Sequence, residues 1–180
     1  MDFQFDRSIA LLQSTPAALN ALLRNLPNEW TSSSEGDGTW TVSYVIAHLV
    51  HCEANDWMRR AQIVLEFGET RTFAPLDREA AGNTVDGQPL PLLLDEFARL
   101  RSENLTQLRA MNPGAQDLER RGRHPAFGPV TLGQLLATWT VHDLTHVHQI
   151  SRIMAGQYRD AVGPWVKYLG VLHCDGHSQS

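Results

Sequence analysis

Apolar residues recur at intervals of three and four along most of this chain, and polar or Gly/Pro-rich stretches interrupt them, outlining four long helices. Residues 6–25 (DRSIALLQSTPAALNALLRN) carry the first, with Pro16 at an N1-like place behind Thr15, so the helix is expected to kink or restart there. Residues 28–38 read as a polar loop. The second helix is predicted over 42 to about 66: Thr41 can cap it, and Trp40 and Val45 occupy hydrophobic-staple positions.

Residues 67–88 are rich in Gly, Pro, Thr and Asp, and a connection of that length is either a solvated linker or a lid, here with Arg71, Asp77 and Arg78 as its charges. "PLLLDEFARLRSENLTQLRAM" places Leu93, Phe97, Leu100 and Leu108 on one stripe of a third helix that ends before Asn112-Pro113-Gly114. The irregular RGRHPAFGPV follows. Thr131 and Gln134 then match a capping box, with Val130 and Leu135 at staple positions, and the fourth helix is expected to run to about Gly156. A short helix from Pro164 packs back, and no strand alternation is visible. The expectation is an all-α four-helix bundle plus a short C-terminal helix, one domain over 1–172 with 173–180 a frayed tail.

Composition narrows the function. A chain of 180 residues buries a sizeable core without disulfides or a structural metal, so a metal would be present for chemistry. No apolar run approaches the ~18–20 residues needed to cross a bilayer, which argues against a membrane role. A net charge of -5 removes the usual basis for nucleic-acid binding, and Trp57, Trp139 and Trp165 read as packing residues. The opening MDFQFDRSIALL carries aspartates where a secretory signal carries lysines, so a cytoplasmic location is expected. Cys52 and Cys174 form no CxxC pair.

Eight histidines remain to be explained, three of them within TWTVHDLTHVHQI, residues 138–150. At ~100° per residue, His142 and His146 sit ~40° apart around the helix and one turn apart along it. They share the stripe of Leu132, Leu135, Trp139, Ile150 and Ile153, which must face the bundle interior. His148, ~160° round from His146, faces away. On the second helix, Tyr44 and Cys52 flank His48 one turn either way and place it inward; His51, ~60° round, reads as a supporting group or a fourth ligand. Three neutral imidazoles suit Zn²⁺, Ni²⁺ or Fe²⁺ and leave coordination positions open. Packed core histidines satisfied by hydrogen bonds are the alternative at this point.

Beyond periodicity, "TPAALNALLRNLP", "WTVSYVIAHLVHCEANDW", "RHPAFGPVTLGQLLATWTVHDLTHVHQISR" and "YRDAVGPWVKYLGVL" together resemble the DinB/YfiT-like superfamily of metalloenzymes, specifically its DinB-like domain family, over nearly the whole chain. The specific segments are AHL in the second helix and HDLTHVHQI in the fourth. The resemblance implies up-down-down-up connectivity, one divalent metal ion on His48, His142 and His146, and a homodimer. It names a site better than a substrate. A metal-dependent hydrolase acting on a small molecule is one reading, with Asp143, His51 or Glu53 as candidate bases, and Asp143 and His51 also as groups supporting the ligands from behind. A metal-assisted transferase or isomerase using a low-molecular-weight thiol is a second, and a non-catalytic metal-binding or stress-response protein a third.

Overall fold

A computed structural model describes residues 3–76 and 88–174. Helix α1 (Phe5–Leu23) runs unbroken through Pro16. Proline has no N–H, so the carbonyl of Leu12 loses its partner four residues on. That freed oxygen is used elsewhere, as described below. A short α2 (Asn28–Ser32) lies within the stretch read as loop.

The predicted 42–66 helix consists of α3 (Val42–Asn55) and α4 (Trp57–Phe67), which meet at Asp56, where ψ swings to -73°. The bonds Asp56 N to Cys52 O and Arg60 N to Asp56 O, each 3.0 Å, carry the helical ladder up to and away from the irregularity. Thr41 caps α3 as expected, its side chain accepting from Tyr44 N at 3.1 Å. After a 3₁₀ turn at Gly68–Thr70, Thr72 bridges to Arg123 and Phe73 is buried. The first part of the suggested lid is thus tied to Arg123 at Thr72 and Phe73, while its residues 77–87, including Asp77 and Arg78, lie outside the described residues.

Helix α5 (Leu90–Met111) ends at Asn112 in the left-handed conformation. Its buried stripe is Leu93, Leu94, Phe97, Arg101, Asn104, Leu105 and Leu108, with Leu100 only half-buried. Leu100 packs at the margin of that stripe, against the cluster that holds Leu93 and Phe97. A turn of helix, α6 (Ala115–Leu118), precedes an antiparallel hairpin of β1 (Arg121–His124) and β2 (Gly128–Thr131), in which Gly122 pairs with Val130 and Arg123 with Pro129. Strands this short, with two glycines and a proline among eight positions, display no alternation to read.

Helix α7 (Leu132–Gly156) starts from the predicted capping box: Thr131 Oγ1 accepts from Gln134 N at 3.1 Å, and Gln134 Oε1 from Thr131 N at 2.9 Å. The short C-terminal helix takes the form of two 3₁₀ turns, Gly163–Tyr168 with Trp165 and Tyr168 exposed, and Gly170–Leu172 with Leu172 buried.

Two apolar clusters define the direction of each long helix. One gathers Ile9 and Leu12 of α1, Cys52 and Trp57 of α3 and α4, Leu105 and Leu108 of α5, and Leu132 to Trp139 of α7. The other gathers Leu19 and Leu23, Val42 to Val50, Leu93 to Phe97, and Ile150 and Ile153. Helices α1 and α7 run from the first cluster to the second, and α3–α4 and α5 run the opposite way, which is the up-down-down-up order. No helix among the described residues is long and apolar enough to cross a membrane.

Candidate metal centre

The two faces that the sequence pattern turned inward meet between α3 and α7. His142 Nε2 lies 3.3 Å from His48 Nε2 and 3.1 Å from His146 Nε2. Among the described residues, these three form a group whose potential ligand atoms all lie within 4.8 Å of one another. His48 and His146 are buried, and His142 is half-buried.

The surroundings fix the rings. His146 Nδ1 is 2.8 Å from Gln149 Oε1, so the protonated Nδ1 donates to that oxygen and the lone pair of Nε2 is left to face His142. Burial holds the His146 pKa below the ordinary 6.5 against the opposing pull of the Gln149 bond and the Asp143 charge, which favours the neutral ring that ligation requires. Trp40 stacks with His146 at 6.1 Å and packs on His48 at 4.9 Å. The loop bearing Trp40 is tied to α7 through Glu35, whose Oε1 accepts from Arg152 Nε at 3.1 Å. On another side, Trp57 meets His142 edge-on at 5.1 Å. Cys52 Sγ lies 3.4 Å from His48 Nε2.

The donor set fits a divalent ion. Two nitrogens each ~2.0–2.1 Å from a tetrahedral zinc lie about 3.3 Å apart. The pairs His48–His142 and His142–His146 have that spacing. Neutral imidazoles are also ligands common to Zn²⁺, Ni²⁺ and Fe²⁺.

A profile of the DinB superfamily matches residues 11–150. The chain belongs to that superfamily. Among its relatives is a protein of Oceanobacillus iheyensis named "putative metal-dependent hydrolase", 26% identical over 162 residues, covering 84% of this chain and 92% of the relative. Another of the same description, from Bacillus mycoides, is 23% identical over 149 residues, covering 82% and 84%. Among solved structures, YfiT from Bacillus subtilis, described as a "probable metal-dependent hydrolase with an unusual four-helix bundle topology", superimposes with a TM-score of 0.69 at 23% identity over 87% of each chain. That likeness supports the four-helix bundle described above.

Of the other residues singled out from sequence, His51 lies outside the converging group and its Nδ1 is 3.2 Å from Asn55 Nδ2 on its own helix. His148 is half-buried and also outside the group. Asp143 and Glu53 are buried and bound to a residue that the sequence reading missed, Arg101. Arg101 Nη1 and Nη2 donate to the two oxygens of Asp143 at 2.6 and 2.9 Å, and Nη2 also donates to Glu53 Oε1 at 2.8 Å. Trp139 Nε1 donates to Glu53 Oε1, and Asn104 Nδ2 to Glu53 Oε2, both at 2.9 Å. A charged residue at the spacing Phe97–Arg101–Leu105–Leu108 is the signal that would have found it.

Proposed function

We propose that this protein is a metal-dependent hydrolase acting on a small-molecule substrate, with one divalent ion, Zn²⁺, Ni²⁺ or Fe²⁺, held by His48, His142 and His146. The observation that carries this is the convergence of three imidazole nitrogens, with His142 Nε2 3.3 and 3.1 Å from the other two. The names of the two relatives matched along most of their length support it. Three protein ligands leave positions open. A divalent ion there supplies Lewis acidity towards a substrate carbonyl and lowers the pKa of water towards neutrality.

The chain's own residues prepare the rest. Gln149 holds His146 in one tautomer, and the Trp40 and Trp57 rings exclude water from two sides of the group. Glu53 and Asp143 accept from Arg101, so both hold structure and neither is a free proton acceptor. That leaves His51 as the base to test. The same reading takes residues 1–172 as one domain and carries the homodimer and the cytoplasmic location that the sequence reading implies.

Elemental analysis of untagged protein from metal-replete medium is expected to find about one equivalent of a divalent transition metal per chain. The His48→Ala protein should lose it. Turnover on a panel of esters, amides and lactams should disappear with chelator and return with metal. Wild-type protein without metal, or turnover unchanged in His48→Ala, overturns the proposal.

One observation favours a second reading, transfer onto a low-molecular-weight thiol: both buried carboxylates beside the site are taken up by Arg101. An ionised thiol is its own nucleophile and needs no carboxylate base. Perturbation of the visible spectrum of Co²⁺-substituted protein by thiols supports that reading, and an unchanged spectrum with several thiols removes it. Loaded protein without turnover on either panel returns the non-catalytic reading.

A further inference from the structure

All four long helices meet at one side chain that carries no ligand. Arg101, on α5, is 2% exposed. Its Nη1 donates to the carbonyl of Leu12 on α1 at 2.8 Å, the oxygen that Pro16 leaves without its helical partner. The same fork binds Glu53 on α3 and both oxygens of Asp143 on α7. Glu53 follows Cys52, which touches His48, and Asp143 sits between His142 and His146. A second route reaches the same ring: Trp139, bonded to Glu53, stacks on Trp57 at 5.8 Å and 9°, and Trp57 meets His142.

We infer that Arg101 is the positioning residue of the metal centre, its planar guanidinium setting the spacing and register of α3 and α7, the two helices that carry the three histidines. This rests on the metal reading above. A guanidinium is suited to the task because its donors sit in a rigid fork, whereas an ammonium is a point charge without direction. Burial disfavours the charge of Arg101, but the Asp143 bond and the Glu53 and Asp143 charges more than offset it, holding its pKa above the ordinary value. The fork therefore stays charged across any working pH.

The sign of the effect separates positioning from electrostatics. Removing a positive charge from the neighbourhood of a cation strengthens cation binding by Coulomb's law. Loss of positioning weakens it. Co²⁺ titration monitored by visible absorption, with thermal unfolding in parallel, compares wild type, Arg101→Met, Arg101→Lys and Leu108→Ala, the last a core truncation on the same helix at a side chain that takes no part in the Arg101 hydrogen bonds.

Arg101→Met is expected to weaken Co²⁺ binding about 10–100-fold and to shift the absorption bands. Arg101→Lys should fall between, and Leu108→Ala should keep wild-type affinity and spectrum despite a lowered Tm. Unchanged or tighter binding in both Arg101 variants overturns the inference, as does a loss in Leu108→Ala equal to theirs. If Arg101→Met does not fold, Arg101→Lys decides on the same criteria. Wild-type protein that takes up no Co²⁺ refutes the metal reading itself, a result distinct from normal uptake that Arg101 variants leave untouched.

Discussion

Replacing Glu53 with glutamine changes one atom and almost no volume, yet the network leaves no orientation in which the amide fits. Glu53 Oε1 accepts from Arg101 Nη2 at 2.8 Å and Trp139 Nε1 at 2.9 Å, and Oε2 from Asn104 Nδ2 at 2.9 Å. Whichever oxygen becomes NH₂ then faces a buried donor. Losing a charge-assisted bond removes about 1.5–3 kcal/mol, and each stranded donor costs about 1–3 kcal/mol more. Breaking one side of a buried ion pair costs about 3–5 kcal/mol in measured cases, so about 3 kcal/mol is the lower expectation for Glu53→Gln. For a chain this size that lowers Tm by about 6–12 °C, at about 2–4 °C per kcal/mol.

Urea unfolding followed by circular dichroism measures it. The partner substitution Asn104→Asp supplies an acceptor to the new amide and restores the negative charge, although it forfeits the 2.9 Å bond that Asn104 Nδ2 also gives the Glu53 carbonyl, so the double variant should be more stable than the sum of its singles by about 1–2 kcal/mol, a coupling of ordinary size for residues in contact. A Glu53→Gln protein within about 1 kcal/mol of wild type, or a double variant no better than the sum of its singles, refutes the reasoning from donors and acceptors.

Two further outcomes concern stability away from the histidines. Burial raises the Asp56 pKa from 3.8 to about 6 despite Arg60 Nε at 2.6 Å. Between those values the native state holds a proton that the unfolded chain has released, so this contribution is fully present below the unfolded pKa and is lost as pH rises through about 6. Asp56→Asn should remove that pH dependence, read as the difference in urea midpoints between the two proteins from pH 4 to 7; parallel curves contradict it. Gly122→Ala places a methyl 2.7 Å from Val64 Cγ2 and Phe73 Cζ, overpacking the hairpin against α4 by about 1–3 kcal/mol. An unchanged Tm in Gly122→Ala would show that Phe73 moves aside.

The converging histidines were legible because helical spacing is a strong constraint. A cap at Thr131 fixed where α7 starts, and four-residue spacing put His142 and His146 on the face shared with Trp139 and Ile150. His48 followed from its flanks. The elements that escaped have local causes. The hairpin offers Gly122 and Pro129 where an alternating pattern would need side chains. The junction at Asp56 is a single irregular residue between two helices, Val42–Asn55 and Trp57–Phe67. Pro16 announced a disturbance, but not that α1 would continue and lend its freed carbonyl to another helix. Arg101 was hidden by its type: an arginine in a helix reads as solvent-facing until its partners, 42 and 48 residues away, are known.

Those partners also bear on why such a cluster stands in this core. Each fully buried Leu, Ile or Phe of the two apolar clusters stabilises the fold by about 1.5–3 kcal/mol through area alone, without needing direction. A buried ion pair does not compete on those terms, because desolvation consumes most of its Coulombic gain, and apolar replacements of similar volume are often neutral or stabilising by about 1–4 kcal/mol. Net stability therefore does not distinguish Arg101, Glu53 and Asp143 from leucines in the same places. What leucines cannot supply is orientation: packed apolar side chains tolerate a shift along the helix axis that bonds of 2.6–2.9 Å to one planar fork do not. Three imidazoles on two helices function together only if α3 and α7 keep one register. The directional contacts lie one to five residues from those histidines along each helix, where a register error would be felt first.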